Sequence, residues 1–383
     1  AGRVKLDPAQ LANVRRRLAA GENLRGALAE LPDTIFTSQL AQIDAQVRHE
    51  LIGAGPVIAP LLEDAAVTDV VVNGTHVWVD RGEGMEVVAD SGLGGEAETR
   101  ALAVRLAASC GQRLDDASPI VDGTFASGVR LHAVIPPLSA EGTLISLRTH
   151  RTRVLAVDEL ADGGSIAREL EPLVRRLVAG KANVLISGAT GAGKTTFLNA
   201  MLTLVPGNER ILVIEESAEL RPTHPHVVHL QVRKANVQGA GEVTMSDLVR
   251  AAMRMRPDRI VLGECRGAEV RDVLGALNTG HEGGWATIHA NSTQDIPARL
   301  VALGALADMA ESTVAAQVAA GLDAAIHVRR SGARRYLSEI SVFERRGGEL
   351  VAPVAVRVGA DGAVTYDEAW ERLLERLDAK DHS

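Results

Sequence analysis

Residues 184–198 read Val184-Leu185-Ile186-Ser187-Gly188-Ala189-Thr190-Gly191-Ala192-Gly193-Lys194-Thr195-Thr196-Phe197-Leu198. A short apolar run, a glycine-spaced loop and the start of a helical stretch follow one another, and the loop fits G-x-x-x-x-G-K-[ST] in full. Glycines let backbone N–H groups converge on phosphate oxygens, and the positive end of the following helix backs them. In such a loop Lys194 lies between the β- and γ-phosphates and the Thr195 hydroxyl binds Mg²⁺. Gly188, Ala189, Thr190, Gly191, Ala192, Gly193, Lys194, Thr195 and Thr196 are therefore the expected nucleotide contacts. A chance glycine-rich turn would not also need a strand before it and a helix after it.

A phosphate loop implies binding; hydrolysis also needs an acid at the end of a neighbouring strand to organise Mg²⁺ and the attacking water. Two segments offer one. Arg259-Ile260-Val261-Leu262-Gly263-Glu264 is an apolar strand ending in a carboxylate. Ile211-Leu212-Val213-Ile214-Glu215-Glu216 is a second, with Glu219 three residues on. An acid at a strand terminus is often merely solvated. Beside a phosphate loop in the same sheet it is a candidate, since open α/β sheets gather ligands at the carboxyl ends of strands. Glu264 and Glu215 are expected to be catalytic, with Thr195 and Glu264 on the metal side, Glu264 through water. His281 and His289 flank a third apolar run, Trp285–Ile288. No third ligand stands at zinc spacing, so a γ-phosphate sensor or an interface role suits them better than a metal.

Further outward, helix and strand alternate from residue 166 on, which implies a mostly parallel sheet. Upstream the pattern differs. Thr68–Gly74 and His76–Val79 read as two short strands about an Asn-Gly turn, followed by a helix over 97–109 and strands near 129–135 and 143–147. The expected organisation is a helical appendage over 1–55, an α+β domain over 56–150, a polar linker or hinge over 151–165, and an α/β phosphate-loop domain over 166–383.

The 383 residues carry a net charge of −8 and 2% aromatics, which argues against a dedicated nucleic-acid binder with a basic, stacking track. The two cysteines, Cys110 and Cys265, form no CxxC, so neither a disulfide framework nor a cysteine zinc site is available. No apolar run approaches a membrane helix and AGRVKLDPAQ has no signal-peptide core, so the expectation is a cytoplasmic protein.

In this order and spacing the segments resemble the secretion ATPase superfamily of type II secretion, type IV pili, Tad pili and type IV secretion. Gly188–Thr195 is similar to its Walker A, Ile214–Leu220 to its Asp box, Arg256–Gly267 to its Walker B and Thr279–Ser292 to its His box. The Asp box here has Glu215-Glu216 where the family has Glu-Asp, and the extra methylene displaces the second carboxylate. A four-cysteine metal module found in type II secretion motors is missing, which, with Pro136-Pro137-Leu138-Ser139, looks most like the Tad and conjugation-associated branch. The resemblance implies a RecA-like ATPase domain preceded by a smaller PAS-like domain, a hexameric ring, ATP and Mg²⁺ as ligands, and an inner-membrane platform protein as partner. It also implies a site between the two domains of a subunit, with Arg130 and Arg148 reaching toward phosphates, and closure of the linker around the nucleotide. Two rivals stand beside this reading: a DNA-translocating RecA-like ATPase, disfavoured by charge, and a nucleotide-gated scaffold without turnover, disfavoured by Glu264.

Overall fold

The computed structural model describes residues 54–381, apart from 65, 83, 90, 126, 150–153, 234–240, 281 and 333. Nearly all of the expected helical appendage, and part of the expected linker, lie outside the described residues. The chain divides into two compact units at Arg151/Thr152.

The first unit contains α1 (Gly55–Glu63), β1 (Asp69–Asn73), β2 (His76–Asp80), β3 (Met85–Val87), α2 (Glu96–Ser109), β4 (Ile120–Thr124), β5 (Arg130–Val134) and β6 (Leu144–Arg148). The strands pair antiparallel in the order β3-β2-β1-β6-β5-β4. One face is apolar. Val70, Val72, Val77, Val79, Leu131, Ala133, Ile145 and Leu147 are buried at alternate positions, and Ile58, Leu102 and Leu106 from the two helices join them in one core. A period of two with one covered face is the pattern of a half-buried antiparallel sheet. At the β1–β2 turn Gly74 has a φ of 58°, and a Cβ there would lie 2.7 Å from the Glu141 carbonyl oxygen, so the Asn-Gly turn tolerates no side chain.

The second unit begins with α3 (Val157–Asp162) and a 3₁₀ turn (Arg168–Leu170). It continues through α4 (Glu171–Ala179), β7 (Val184–Ser187), α5 (Lys194–Leu202), β8 (Ile211–Glu215) and β9 (Val227–Gln231). Then come α6 (Met245–Ala252), β10 (Arg259–Leu262), α7 (Val270–Leu277), β11 (Trp285–Ile288), α8 (Ile296–Leu306), α9 (Glu311–Gly321), β12 (Ala324–Ser331) and β13 (Arg334–Ser341). A small hairpin of β14 (Glu344–Arg346) and β15 (Glu349–Val351) precedes β16 (Val354–Val358), β17 (Val364–Tyr366) and α10 (Trp370–Asp381).

Nine strands form one sheet in the order β17-β16-β13-β12-β7-β11-β10-β8-β9. From β12 to β9 every pair is parallel, and β13, β16 and β17 extend the sheet antiparallel. Successive residues of the central strands serve opposite cores. Val184, Ile186, Ile211, Val213, Val261 and Trp285 face α3, α4, α5 and α10. Leu185, Leu212, Ile214, Ile260, Leu262, Ala286 and Ile288 face α6 to α9. Burial on both faces explains why these strands read as unbroken apolar runs.

Much of the stretch expected to be a linker, 151–165, is part of this unit. The Glu159 carboxylate accepts the backbone N–H of Ala156 at 2.9 Å and caps α3, and Val157, Leu160 and Ala161 are its buried residues. Three apolar residues at helical spacing outweigh the polar ones between them. Among the described residues no helix is long and apolar enough to cross a membrane.

Candidate functional site

β7, β11, β10 and β8 lie side by side and parallel, so the residues following their carboxyl ends share one edge of the sheet. Those residues are Gly188, His289, Gly263-Glu264 and, at the end of β8, Glu215.

After the fully buried β7 the chain turns at Gly188, where a Cβ would lie 2.5 Å from the Val328 carbonyl oxygen. The loop ends at Gly193, left-handed at φ 102° and the N-cap of α5. Only glycine meets both demands without strain. Ala189, Thr190, Gly191 and Thr196 are exposed along the loop and its exit, while Ala192 is buried beneath them. Lys194 folds under the loop. Its Nζ donates to the carbonyls of Gly188 at 2.8 Å and Ala189 at 3.2 Å, and stands 3.3 Å from His289 Nδ1. Burial lowers the lysine's pKa, partly offset by the Glu264 carboxylate.

On the other side of the histidine ring, Nε2 lies 2.8 Å from Oε1 of Glu264. The contact is an ion-pair distance without hydrogen-bond direction, and Oε1 is buried with no donor aligned on it. Arg266 donates to Oε2 of the same carboxylate at 2.6 Å and reaches Glu216 at 3.4 Å. Burial pushes the Glu264 pKa up, but the Arg266 hydrogen bond and the charges of Arg266, His289 and Lys194 outweigh it and hold it below its ordinary value. Glu264 is therefore an anion at neutral pH. The His289 pKa is lowered, first by burial and then by Lys194, so its ring is neutral there. The Thr287 hydroxyl donates to the Gly263 carbonyl at 2.5 Å, fixing the turn that presents Glu264.

Glu215 bonds to the loop that follows it. It is 5% exposed, and its Oε1 accepts the backbone N–H groups of Glu219 and Leu220, both at 3.0 Å. It also packs so closely on Gly263 that a Cβ there would lie 2.7 Å from its Cγ. Glu215 thus shapes the loop that brings Glu219 to the Thr195 hydroxyl, which donates to Glu219 Oε2 at 3.4 Å. The carboxylate next to Thr195 is Glu219, not Glu215. Arg266 and Glu219 were both in view in the sequence, but neither had a role there.

His281 itself lies outside the described residues. Its neighbours Gly280 and Glu282 belong to the loop entering β11, where Gly284 N donates to Asn183 Oδ1 at 2.8 Å, and Asn183 precedes β7. His289 leaves the opposite end of β11, and a four-residue strand separates its two ends by about 13 Å. Arg130 and Arg148 are register partners on β5 and β6 of the first unit, and Arg148 Nε donates to Asp69 at 2.9 Å.

The donor set fits a magnesium ion that arrives with a nucleotide. Among the described residues no three His, Cys, Asp or Glu side chains gather as a metal cage. A hydroxyl and one or two carboxylates beside a glycine-rich loop suit Mg²⁺, which takes few protein ligands and completes its shell with phosphate oxygens and water.

The chain matches the family model "Type II/IV secretion system protein" over residues 51–348. A Mycobacterium tuberculosis protein named "Putative conjugal transfer protein" is 48% identical over 314 residues, covering 80% of this chain and 89% of its own. The type IV secretion system protein PtlH of Bordetella pertussis is 35% identical, over 63% of this chain and 79% of its own. Among solved structures, the pilus retraction motor PilT with bound ADP superposes with a TM-score of 0.52 at 20% identity, covering 88% of this chain and 87% of its own. That likeness speaks for the fold. This chain is a member of the type II/IV secretion system protein family.

Proposed function

We propose that the chain is an ATP-hydrolysing motor subunit that works as a six-membered ring at the cytoplasmic face of a bacterial inner membrane. There it would drive a platform protein of a pilus, secretion or conjugal transfer system. The observation that carries the reading is the row Lys194–His289–Glu264–Arg266 at the carboxyl edge of adjacent parallel strands, beside Thr195 and Glu219. The names of the relatives support transport across the envelope, with conjugal transfer prominent among them.

Each side chain has a part in this reading. Loop N–H groups and Lys194 bind and orient the phosphates. Magnesium, when bound with ATP, neutralises charge on the β- and γ-phosphates. Thr195 and Glu219 would hold it, with Glu264 reached through water, and Glu215 positions the loop that carries Glu219. Glu264, kept anionic by Arg266, orients the attacking water through Oε1, and neutral His289 holds Lys194 and Glu264 at fixed spacing. RecA-like and PAS-like describe the two units in this proposal, and Arg130 and Arg148 supply positive charge to the phosphates during turnover.

Phosphate release with Mg-ATP tests it, for the parent, Lys194→Ala and Glu264→Gln, with mass by light scattering. Loss of turnover by at least about 100-fold in both variants, on a nucleotide-dependent ring in the parent, is the expected result. A folded, ring-forming parent that binds ATP tightly and releases no phosphate would favour the scaffold reading instead.

A further inference from the structure

The phosphate loop has two flanks, and the chemistry above uses one. On the β11 and β10 side stand His289 and Glu264; on the other side β12 pairs with β7 and β13 pairs with β12. The β12–β13 hairpin carries Arg329, Arg330, Arg334 and Arg335 within seven residues of a chain whose net charge is −8.

Arg334 and Arg335, adjacent on one strand, point to opposite faces. Arg334 is an anchor: its Nη2 donates to the Gly164 carbonyl at 2.9 Å and it lies over the Tyr336 ring at 4.9 Å. Arg335 goes to the phosphate loop. Its Nε donates to the Gly191 carbonyl at 3.0 Å, and its Cδ would lie 3.2 Å from a Cβ on Gly193. A guanidinium is planar with five donors in a fixed fork, so bonding Nε to the loop also sets where the two Nη groups can point. Arg330 is the register partner of Arg335, so both project from the same face of the hairpin. Like charges directly opposite each other weaken a strand pair, and a bound anion relieves that repulsion.

We infer that Arg335 is a nucleotide-binding residue that contacts the α-phosphate, the part common to ATP and ADP. This rests on the reading of residues 188–196 as a nucleotide loop. Glu264 and Lys194 mark the end where the terminal phosphate is attacked. The rest of the nucleotide must then leave the loop on the opposite flank, where the hairpin stands. A planar fork there matches a phosphate's paired oxygens, which a lysine cannot do. Because its contact is the same before and after hydrolysis, Arg335 affects binding of substrate and product alike and not the chemical step.

The test measures Mg-ADP affinity by titration calorimetry, and KM and kcat for Mg-ATP, on the full chain with Arg335→Ala and Arg335→Lys. Glu264→Gln serves as the comparison, and thermal melts check folding. Arg335→Ala is expected to weaken Mg-ADP binding and raise KM by about tenfold or more, with kcat within about threefold of the parent. Arg335→Lys should recover only part of the loss, and Glu264→Gln should keep ADP affinity while losing turnover. Unchanged ADP affinity in a folded Arg335→Ala overturns the inference, as does a collapse of kcat at unchanged KM, which would put Arg335 at the terminal phosphate. A parent that binds no Mg-ADP would sink the nucleotide-loop reading itself, whereas a parent that binds it indifferently to Arg335 sinks this inference alone.

Discussion

The two ends of the parallel sheet in the second unit both hold buried charge, and they use it in opposite ways. At the carboxyl end the charges face one another across gaps: Glu264 keeps a buried oxygen without an aligned donor, and Lys194 is held by two loop carbonyls. At the amino end they are locked into pairs, although Nη1 of Arg259 is also buried without an aligned acceptor. Arg259, 0% exposed, donates to Glu209 at 2.7 Å and to the Val178 carbonyl at 2.9 Å, and Lys181 closes on the same glutamate at 3.5 Å. Asn183 ties the strand starts to Gly284 and Gly321, and Lys380 of α10 bridges Glu282 and Asp323. Charge buried with its partner already bonded makes structure. At the carboxyl end the capacity left over stands beside a glycine-rich loop with exposed residues, and at the amino end it stands inside the core.

The difference is broken most severely at the amino end. Glu209→Ala leaves Arg259 buried without its carboxylate, and removing one partner of a buried pair costs about 3–5 kcal/mol. Chemical denaturation should show that loss, while turnover per folded molecule under stabilising conditions stays near that of the parent. The double replacement Glu209→Leu with Arg259→Met removes both charges, and it should recover most of the stability. A double variant as unstable as the single one would mean that the pair holds more than each other, for instance Gly283, where a Cβ would lie 2.9 Å from Arg259 Nη1.

The histidines sharpen the same contrast at a smaller magnitude. His289→Ala opens the link between Lys194 and Glu264, and kcat should fall about 10- to 100-fold. His281→Ala should leave kcat within about threefold of the parent, since Glu282, the next residue in sequence, is bridged to Lys380 at the amino end. Equal losses in steady-state hydrolysis would mean that the amino end reaches a site after all, that of a neighbouring copy in a ring.

What the sequence made legible follows from how local each feature is. β7 and β11 could be read to the residue, because both their faces are buried and a glycine bounds each at one end. The Asn73-Gly74 turn, the two flanking strands and the loop from Gly188 to Thr195 depend on neighbours only. α3 was hidden in a polar stretch because its signal is three apolar residues against many charged ones. The site's other flank was invisible for a different reason: His327 pairs with Ser187 and Arg335 with Gly191 across some 140 positions, through a sheet order that no local pattern announces. For Glu215 the sequence left direction open. A carboxylate at a strand end could face either a ligand or its own following loop, and only the backbone donors of 219 and 220 decide between them.

The smallest effect concerns pH. His327, 4% exposed on β12, sits under the phosphate loop with Nδ1 2.8 Å from Ser187 Oγ. Glu339 on β13, Asp295 before α8, Arg329 on its own strand and Lys194 of α5 all bear on it. Burial outweighs the two acids and lowers its pKa below 6.5. Burial likewise lowers His289 and His229. A group whose folded pKa is depressed in this way binds its proton more readily when unfolded. As pH falls through about 6.5, the unfolded state takes up protons that the folded state refuses, and stability drops. Melting temperature should therefore decline between pH 7.5 and about 5.5, with little change above pH 7.5 from these groups. His327→Asn, which keeps a polar partner for Ser187 and does not titrate, should lower stability at pH 7.5 slightly and flatten the acid-side slope. A slope unchanged in His327→Asn would place the acid sensitivity with His289 or His229, one at the carboxyl edge of the sheet and the other on its outermost parallel strand, and not beneath the loop.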